Sequence, residues 1–425
     1  MRNQFSPSPL PSPPRRGRII RCHLWLVLVW LVFIVTAAHA SLFDQPVNPL
    51  HLQSTDGFFR SDISGLLDLE TYYVDQRPPG LLFGNDSFFN PRLSMFADIH
   101  LGPHIYLGAQ GRVDRGFDPK SAPGGDGRAD EYFLRYTPFN GNQLNLEVGK
   151  FAMVFGNWVN RHYSWDNPLI NAPLPYENVM AVSDGAAPAS RAAFLARRGI
   201  PDKKAKWLPI IWGPSYTSGG GVFGSIDKFD YAVELKNASI SSRPAIWDAT
   251  QLDWANPTVT ARLGARPDES WDLGVSASGG AYLLPSAAGT LPAGKSIGDY
   301  RQYTIGQDAA YSWHHWQFWE EIIASRFEVP RVGNADTLSY YIEAKYKITP
   351  HLFWAERWNQ QFFGTVDNGA GNRVAWDNDA WRIDNALGYR FNQHLQAKLQ
   401  YSFNHQRGSL QQGEQLVAAQ VTAKF

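Results

Sequence analysis

Cysteine is almost missing from this 425-residue chain: Cys22 is the only one, and it lies in the first 40 residues. A chain without further thiols has no disulfide framework, no Cys-ligated zinc and no thiol catalysis. Charge is also sparse, at 18% of residues. The 39 Lys+Arg balance 39 Asp+Glu, yet all five charged residues of segment 1–40 are arginines (Arg2, Arg15, Arg16, Arg18 and Arg21). The remainder carries 34 basic against 39 acidic groups, a net of −5. A weakly acidic body lacks the concentrated basic face of a nucleic-acid binder. Low charge together with 14% aromatic residues excludes disorder for most of the chain. Long apolar runs are absent after residue 40, so no later segment reads as a membrane-spanning helix.

The leader itself is organised. Basic residues from Arg15 to Arg21 precede a 12-residue apolar run, Leu24 to Val35, and then Ala38-His39-Ala40. That order predicts a secretory signal peptide over residues 1–40, cleaved after Ala40. The competing reading is an N-terminal membrane anchor, for which the run is short, since a spanning helix needs roughly 20 apolar residues. An exported chain without a helical span is either soluble or a membrane β-barrel, because closed barrels alone among sheets satisfy every backbone group in lipid.

The rest of the sequence alternates apolar and polar residues. Ile105, Leu107, Ala109, Gly111 and Val113 oppose Tyr106, Gln110, Arg112 and Asp114; Phe229, Tyr231, Val233 and Leu235 oppose Asp230, Glu234 and Lys236. Leu338 to Tyr346 and Leu395 to Phe403 repeat the pattern, with Glu343, Lys345 and Lys398 on the second face. Side chains on a strand alternate faces, so each piece is a strand with one greasy and one hydrated side.

Sixteen strands are predicted: 63–74, 93–101, 104–114, 129–137, 143–151, 216–225, 228–240, 257–266, 270–282, 300–312, 315–328, 337–348, 351–361, 379–391, 394–406 and 413–425. Their lengths match the roughly 9–11 residues that cross a bilayer at a tilt better than the mode of about 5–6 in globular sheets. Connections alternate between short turns, such as Gly102-Pro103 and Trp313-His314, and long loops, such as 75–92 and 152–215. Short turns on one rim and long loops on the other are the arrangement of an outer-membrane barrel.

The expected architecture is therefore all-β: a transmembrane antiparallel barrel over 63–425, with 41–62 as an N-terminal periplasmic segment. The bacterial outer membrane and its lipid are the implied setting. Three places strain the alternation. Glu320-Glu321 and Glu356-Arg357 each put a charge outward unless a bulge intervenes, and Lys150 faces lipid unless Gly149 marks one.

The sequence Val148-Gly149-Lys150-Phe151, followed by Phe155-Gly156, resembles bacterial porins, most nearly the phosphate-selective group. So do Gly306-Gln307-Asp308-Ala309-Ala310-Tyr311 followed by Glu321, and the turn from Tyr346 to Thr349-Pro350. The likeness implies that the third loop, 152–215, folds into the barrel and narrows a pore, and that the chain assembles as a homotrimer. The alternation Val417, Ala419, Val421, Ala423, Phe425 resembles the terminal strand offered to the barrel assembly machinery, with Phe425 the contacting residue.

The expected function is passive diffusion of small hydrophilic solutes, with no covalent step and no cofactor. Within the loop, Arg161, Arg191, Arg197, Arg198, Lys203, Lys204 and Lys206 are candidate constriction cations. On the lumen wall the candidates are Arg112, Arg135, Arg262, Arg382 and Arg390. Rings of Arg and Lys favour anions, so an anion preference follows if these groups face the solute. The competing reading is that the loop cations keep a surface loop soluble and the wall arginines pair with Asp114, Glu131, Glu234 and Asp384.

Two other functions are weighed. An outer-membrane hydrolase needs His162, Ser164 and Asp166 to converge, which neighbours in one loop seldom do. A polysaccharide-binding or export barrel would stack sugars on Trp158, Tyr163, Trp165 and Trp212. His314-His315 lacks a third metal ligand. A short helix is expected over Ala189–Arg198, starting near Ser183 or Asp184.

Overall fold

A computed structural model describes residues 51–75, 87–115, 125–198, 207–242, 254–408 and 413–425. The expected signal peptide, 1–40, and Lys203, Lys204 and Lys206 lie outside the described residues.

Sixteen strands form the wall. They are β1 (Phe59–Val74), β2 (Ser87–Leu101), β3 (Ile105–Asp114), β4 (Asp126–Tyr136), β5 (Asn145–Phe151), β6 (Thr217–Ile226), β7 (Phe229–Lys236) and β8 (Thr258–Ala265). The second half comprises β9 (Trp271–Ala281), β10 (Arg301–Trp313), β11 (Trp316–Val329), β12 (Gly333–Lys347), β13 (Leu352–Phe363), β14 (Ala380–Arg390), β15 (Leu395–Gln406) and β16 (Gly413–Lys424). Each pairs antiparallel with the next, and β16 returns to β1 from Leu416↔Val74 to Lys424↔Leu66. The sheet is closed, so no edge is left to satisfy in lipid.

The alternation predicts the faces. Ile305, Leu263 and Leu399 are 63%, 62% and 57% exposed on the outside of the ring, while Glu70, Asp384 and Gln400 are fully buried on the inside. Outward tryptophans Trp271, Trp313, Trp316 and Trp354 gather at the short-turn rim, where amphipathic rings suit a membrane interface. An exposed apolar band around a closed ring is a lipid-facing surface, and this is the architecture of the bacterial outer membrane.

The strained positions resolve individually. Glu321 points inward and is buried, whereas Glu320 turns outward and accepts a hydrogen bond from the outward Gln307 at 2.7 Å. Arg357 points inward with no exposure, leaving Glu356 outward opposite Asn385. No register shift occurs at Gly149. The irregularity lies one strand away, between Gln110 and Gly111 on β3, so that Asp130 and Glu131 of β4 both turn inward. Gly149 itself takes φ +142°, where an added Cβ would stand 2.3 Å from the Tyr132 carbonyl oxygen. Lys150 is buried, with its amine on the Ala129 carbonyl at 2.6 Å.

The connection expected over 329–336 shrinks to a turn between Val329 and Gly333, with Arg331 at φ 65°. The expected helix is shorter than 189–198. It spans Arg191–Leu195, and Ser190, not Ser183 or Asp184, caps it by accepting from the Ala193 amide at 3.1 Å.

Most of the buried apolar core lies inside the ring. Phe155, Trp158, Tyr176, Phe194, Leu208, Ile211 and Trp212 of the third loop pack against Ile323, Phe327, Ala335, Tyr341 and Phe363 on the inner faces of β11, β12 and β13. Those strands carry apolar residues on their inner as well as their outer faces because the loop replaces water there.

Candidate constriction of the lumen

The third loop is held by acidic and basic wall residues that bond its backbone. At its entry the Phe155 ring covers Gly306, where an added Cβ would meet it at 2.8 Å. The Glu321 carboxylate accepts the Asn157 and Trp158 amides at 2.7 and 2.8 Å and the Tyr176 hydroxyl. Gly156 adopts φ +70°, and a Cβ there would stand 2.7 Å from Glu321 Oε1. The Phe-Gly segment and the Gly306…Glu321 segment, far apart in sequence, therefore form one joint.

Deeper in, Arg357 bonds Asn171 O, Asn171 Oδ1 and Ala172 O at 3.1, 2.7 and 3.0 Å while pairing with Glu343 and Asp384. Arg382 links Asp384 to Glu177. Lys398 Nζ donates to the carbonyls of Ser164, Asn167 and Leu169 at 2.8, 2.9 and 3.1 Å. Arg390 donates to Trp165 O at 2.9 Å. These anchors sit on β10 to β15, so the loop lies against that side of the lumen.

The remaining space faces β2 to β8. A narrow cavity of about 110 Å³ has Arg92, Arg112 and Arg128 on its wall side and His162, Ser164 and Glu177 on its loop side. Arg92 pairs with Asp68 at 3.2 Å and with Glu70; Arg112 lies 3.1 Å from Asp130; Arg128 lies 2.9 Å from Asp130. Burial pushes the His162 imidazole down to about 4, so it is neutral near pH 7. A wider cavity of about 590 Å³ opens toward the short-turn rim and also touches His162.

The sequence candidates separate into groups. Arg112 lines the narrow cavity, and Arg135 and Arg262 line the wider one. Arg382 and Arg390 hold the loop. Arg161 is buried, paired with Glu343 and placed 4.4 Å from the Trp319 ring centre. Arg191 is exposed, 3.8 Å from Asp367. Arg197 lies over Trp207 at 5.1 Å, and Arg198 bonds Ala375 O at 2.9 Å. None of these four loop arginines lines the narrow cavity. Arg92 and Arg128, which do, escaped the sequence reading because the predicted strands began at 93 and 129. Each stood one residue outside its strand.

Several bland alternatives also take definite form. Arg112 is 3.3 Å from Asp114 and Arg382 is 3.0 Å from Asp384, but Arg135 pairs with Glu147 and Arg262 with Asp230 and Asp308. The His162 ring bonds Val159 O and the Tyr216 hydroxyl, not Ser164 or Asp166. Trp158, Trp165 and Trp212 are buried in the loop. Among the described residues no group of three or more His, Cys, Asp or Glu is placed to hold a metal.

No protein-family model matches the chain, and no curated protein matches it. Solved structures do. An anion-selective porin from Comamonas acidovorans shares 10% identity at a TM-score of 0.54, over 86% of this chain and 100% of that one. The outer membrane channel DcaP of Acinetobacter baumannii shares 10% at 0.55, over 88% and 99%. Salmonella typhi OmpF, in complex with daunomycin, shares 10% at 0.55, over 88% and 100%. The fold is that of outer-membrane porins. On this porin fold the likeness extends around the ring, as the coverage requires, while the low identity leaves solute and selectivity to the chain's own residues.

Proposed function

We propose that the protein is an outer-membrane porin for passive diffusion of small hydrophilic solutes, preferring anions and assembling as a homotrimer. The observation that carries this is the narrow cavity, where three wall arginines meet a single loop carboxylate, Glu177, beneath an anchored loop. In a confined lumen fixed charge offsets the desolvation of an opposite ion, so the sign of the lining sets the preference. Neighbouring carboxylates on β1, β3 and β4 hold the arginine side chains extended and temper the preference. The likeness to the phosphate-selective group rests on the short motifs, which makes phosphate the first anion to test. The channel does its work without covalent chemistry.

Reversal potentials in planar bilayers under a KCl gradient test the reading. Chloride should permeate better than potassium, and Arg112→Ser together with Arg92→Ser should move the reversal potential toward potassium. A cation-selective native channel would refute the anion preference, and a folded protein without conductance would refute the channel.

A further inference from the structure

The wider cavity holds charge that the porin reading does not use. Its lining includes Glu131, Glu147, Asp230 and Glu234. Glu147 is matched by Arg135 at 2.7 Å and Asp230 by Arg262 at 2.9 Å. Glu131 accepts the Ala152 amide through one oxygen. Glu234 is 1% exposed, and its donors, the Val154 amide and Lys236, fall short of normal hydrogen-bond geometry. Its nearest cation, Lys236 Nζ, stands 3.7 Å away and is engaged by the Phe151 and Thr217 carbonyls at 2.6 and 3.2 Å. Two carboxylates thus share one distracted ammonium. A buried carboxylate whose donors are poorly placed is costly, and a cationic ligand with N–H groups would relieve it. The absence of a three-ligand cluster among the described residues favours an organic ammonium over a metal ion. Space of about 590 Å³ is in the range of small-molecule sites.

We propose that Glu234 and Glu131 form a subsite for the ammonium group of a permeating solute. The arginine cavity adjoins it at His162, so the preferred solutes carry both a carboxylate and an ammonium, as amino acids and short peptides do. This specificity rests on the reading that the lumen conducts.

The probes are 6-aminohexanoate and hexanoate, which differ in the ammonium alone. Calorimetric titration of the full-length protein in detergent should show 6-aminohexanoate binding about tenfold tighter, the effect of one charge-assisted contact. Glu234→Gln should erase that advantage, and Glu131→Gln, a milder change, should reduce it. Equal binding of the two probes, no binding of either, or an advantage unchanged in both variants overturns the subsite. Bilayer conductance is read in parallel. Discriminating binding without conductance keeps the subsite and removes the channel; conductance without discrimination does the reverse.

Discussion

Replacing Arg357 with Met should release the third loop while leaving the barrel closed. Arg357 has no exposed surface, and its guanidinium joins Glu343 and Asp384 on the wall to the Asn171 and Ala172 carbonyls of the loop. Removing one partner of a buried ion pair costs about 3–5 kcal/mol, because the other charge is stranded. Here Glu343 keeps Arg161 and Asp384 keeps Arg382, so the lower end applies, about 3 kcal/mol. If the cost falls on loop attachment alone, the detached population rises roughly a hundredfold. Arg161 is buried in the attached loop, so trypsin cleavage after it reports detachment. Where reattachment outpaces cleavage, the rate follows the open population. The variant should be cut about a hundredfold faster, with the heat-modifiable gel band of the folded barrel retained. Arg357→Lys should fall between the two. Cleavage within a factor of about three of the native rate would show that the arginine does not anchor the loop.

Two further outcomes follow from local geometry. Gly149→Ala places a Cβ 2.3 Å from a backbone oxygen at φ +142°, and strain of about 1–3 kcal/mol should lower the urea midpoint of the folded band. At the long-loop rim, Asp377 accepts the Ala181 amide at 2.6 Å, and burial pushes its carboxyl up to about 6. The folded state then binds the proton more tightly than the unfolded one. The resulting stability is fully present below about 3.8, the ordinary value, and is lost as pH rises through about 6. Hydrogen exchange at Ala181, corrected for intrinsic rate, should show more protection at pH 4.5 than at 7.5, and Asp377→Asn should flatten the difference.

Architecture was legible because one rule governs it: a strand between lipid and a wet lumen alternates without regard to its partners. All sixteen expected strands have counterparts, and errors fall at ends. β1 and β2 begin at 59 and 87, earlier than expected, where Phe59–Asp62 and the Pro91 region blur the pattern. β7 stops at Lys236 because the Asn237 side chain turns back to the Ser218 amide. The site was less legible. Its anchors join residues nearly two hundred positions apart, as with Asn171 and Arg357, and no local period encodes such a pairing. Ile323, Phe327 and Tyr341 gave no warning either, because their burial depends on a loop arriving from elsewhere.

The interior packing has an evolutionary corollary. Six strands of the inner wall, β10 to β15, must fit a dense tertiary interface, so a substitution there disturbs the loop's seat. The wall of β2 to β8 touches the loop at fewer points, such as Gln110 and Glu131, and elsewhere borders open space where one charge can be exchanged for another. The lining can therefore drift on one side of the bore while the other keeps the plug in register.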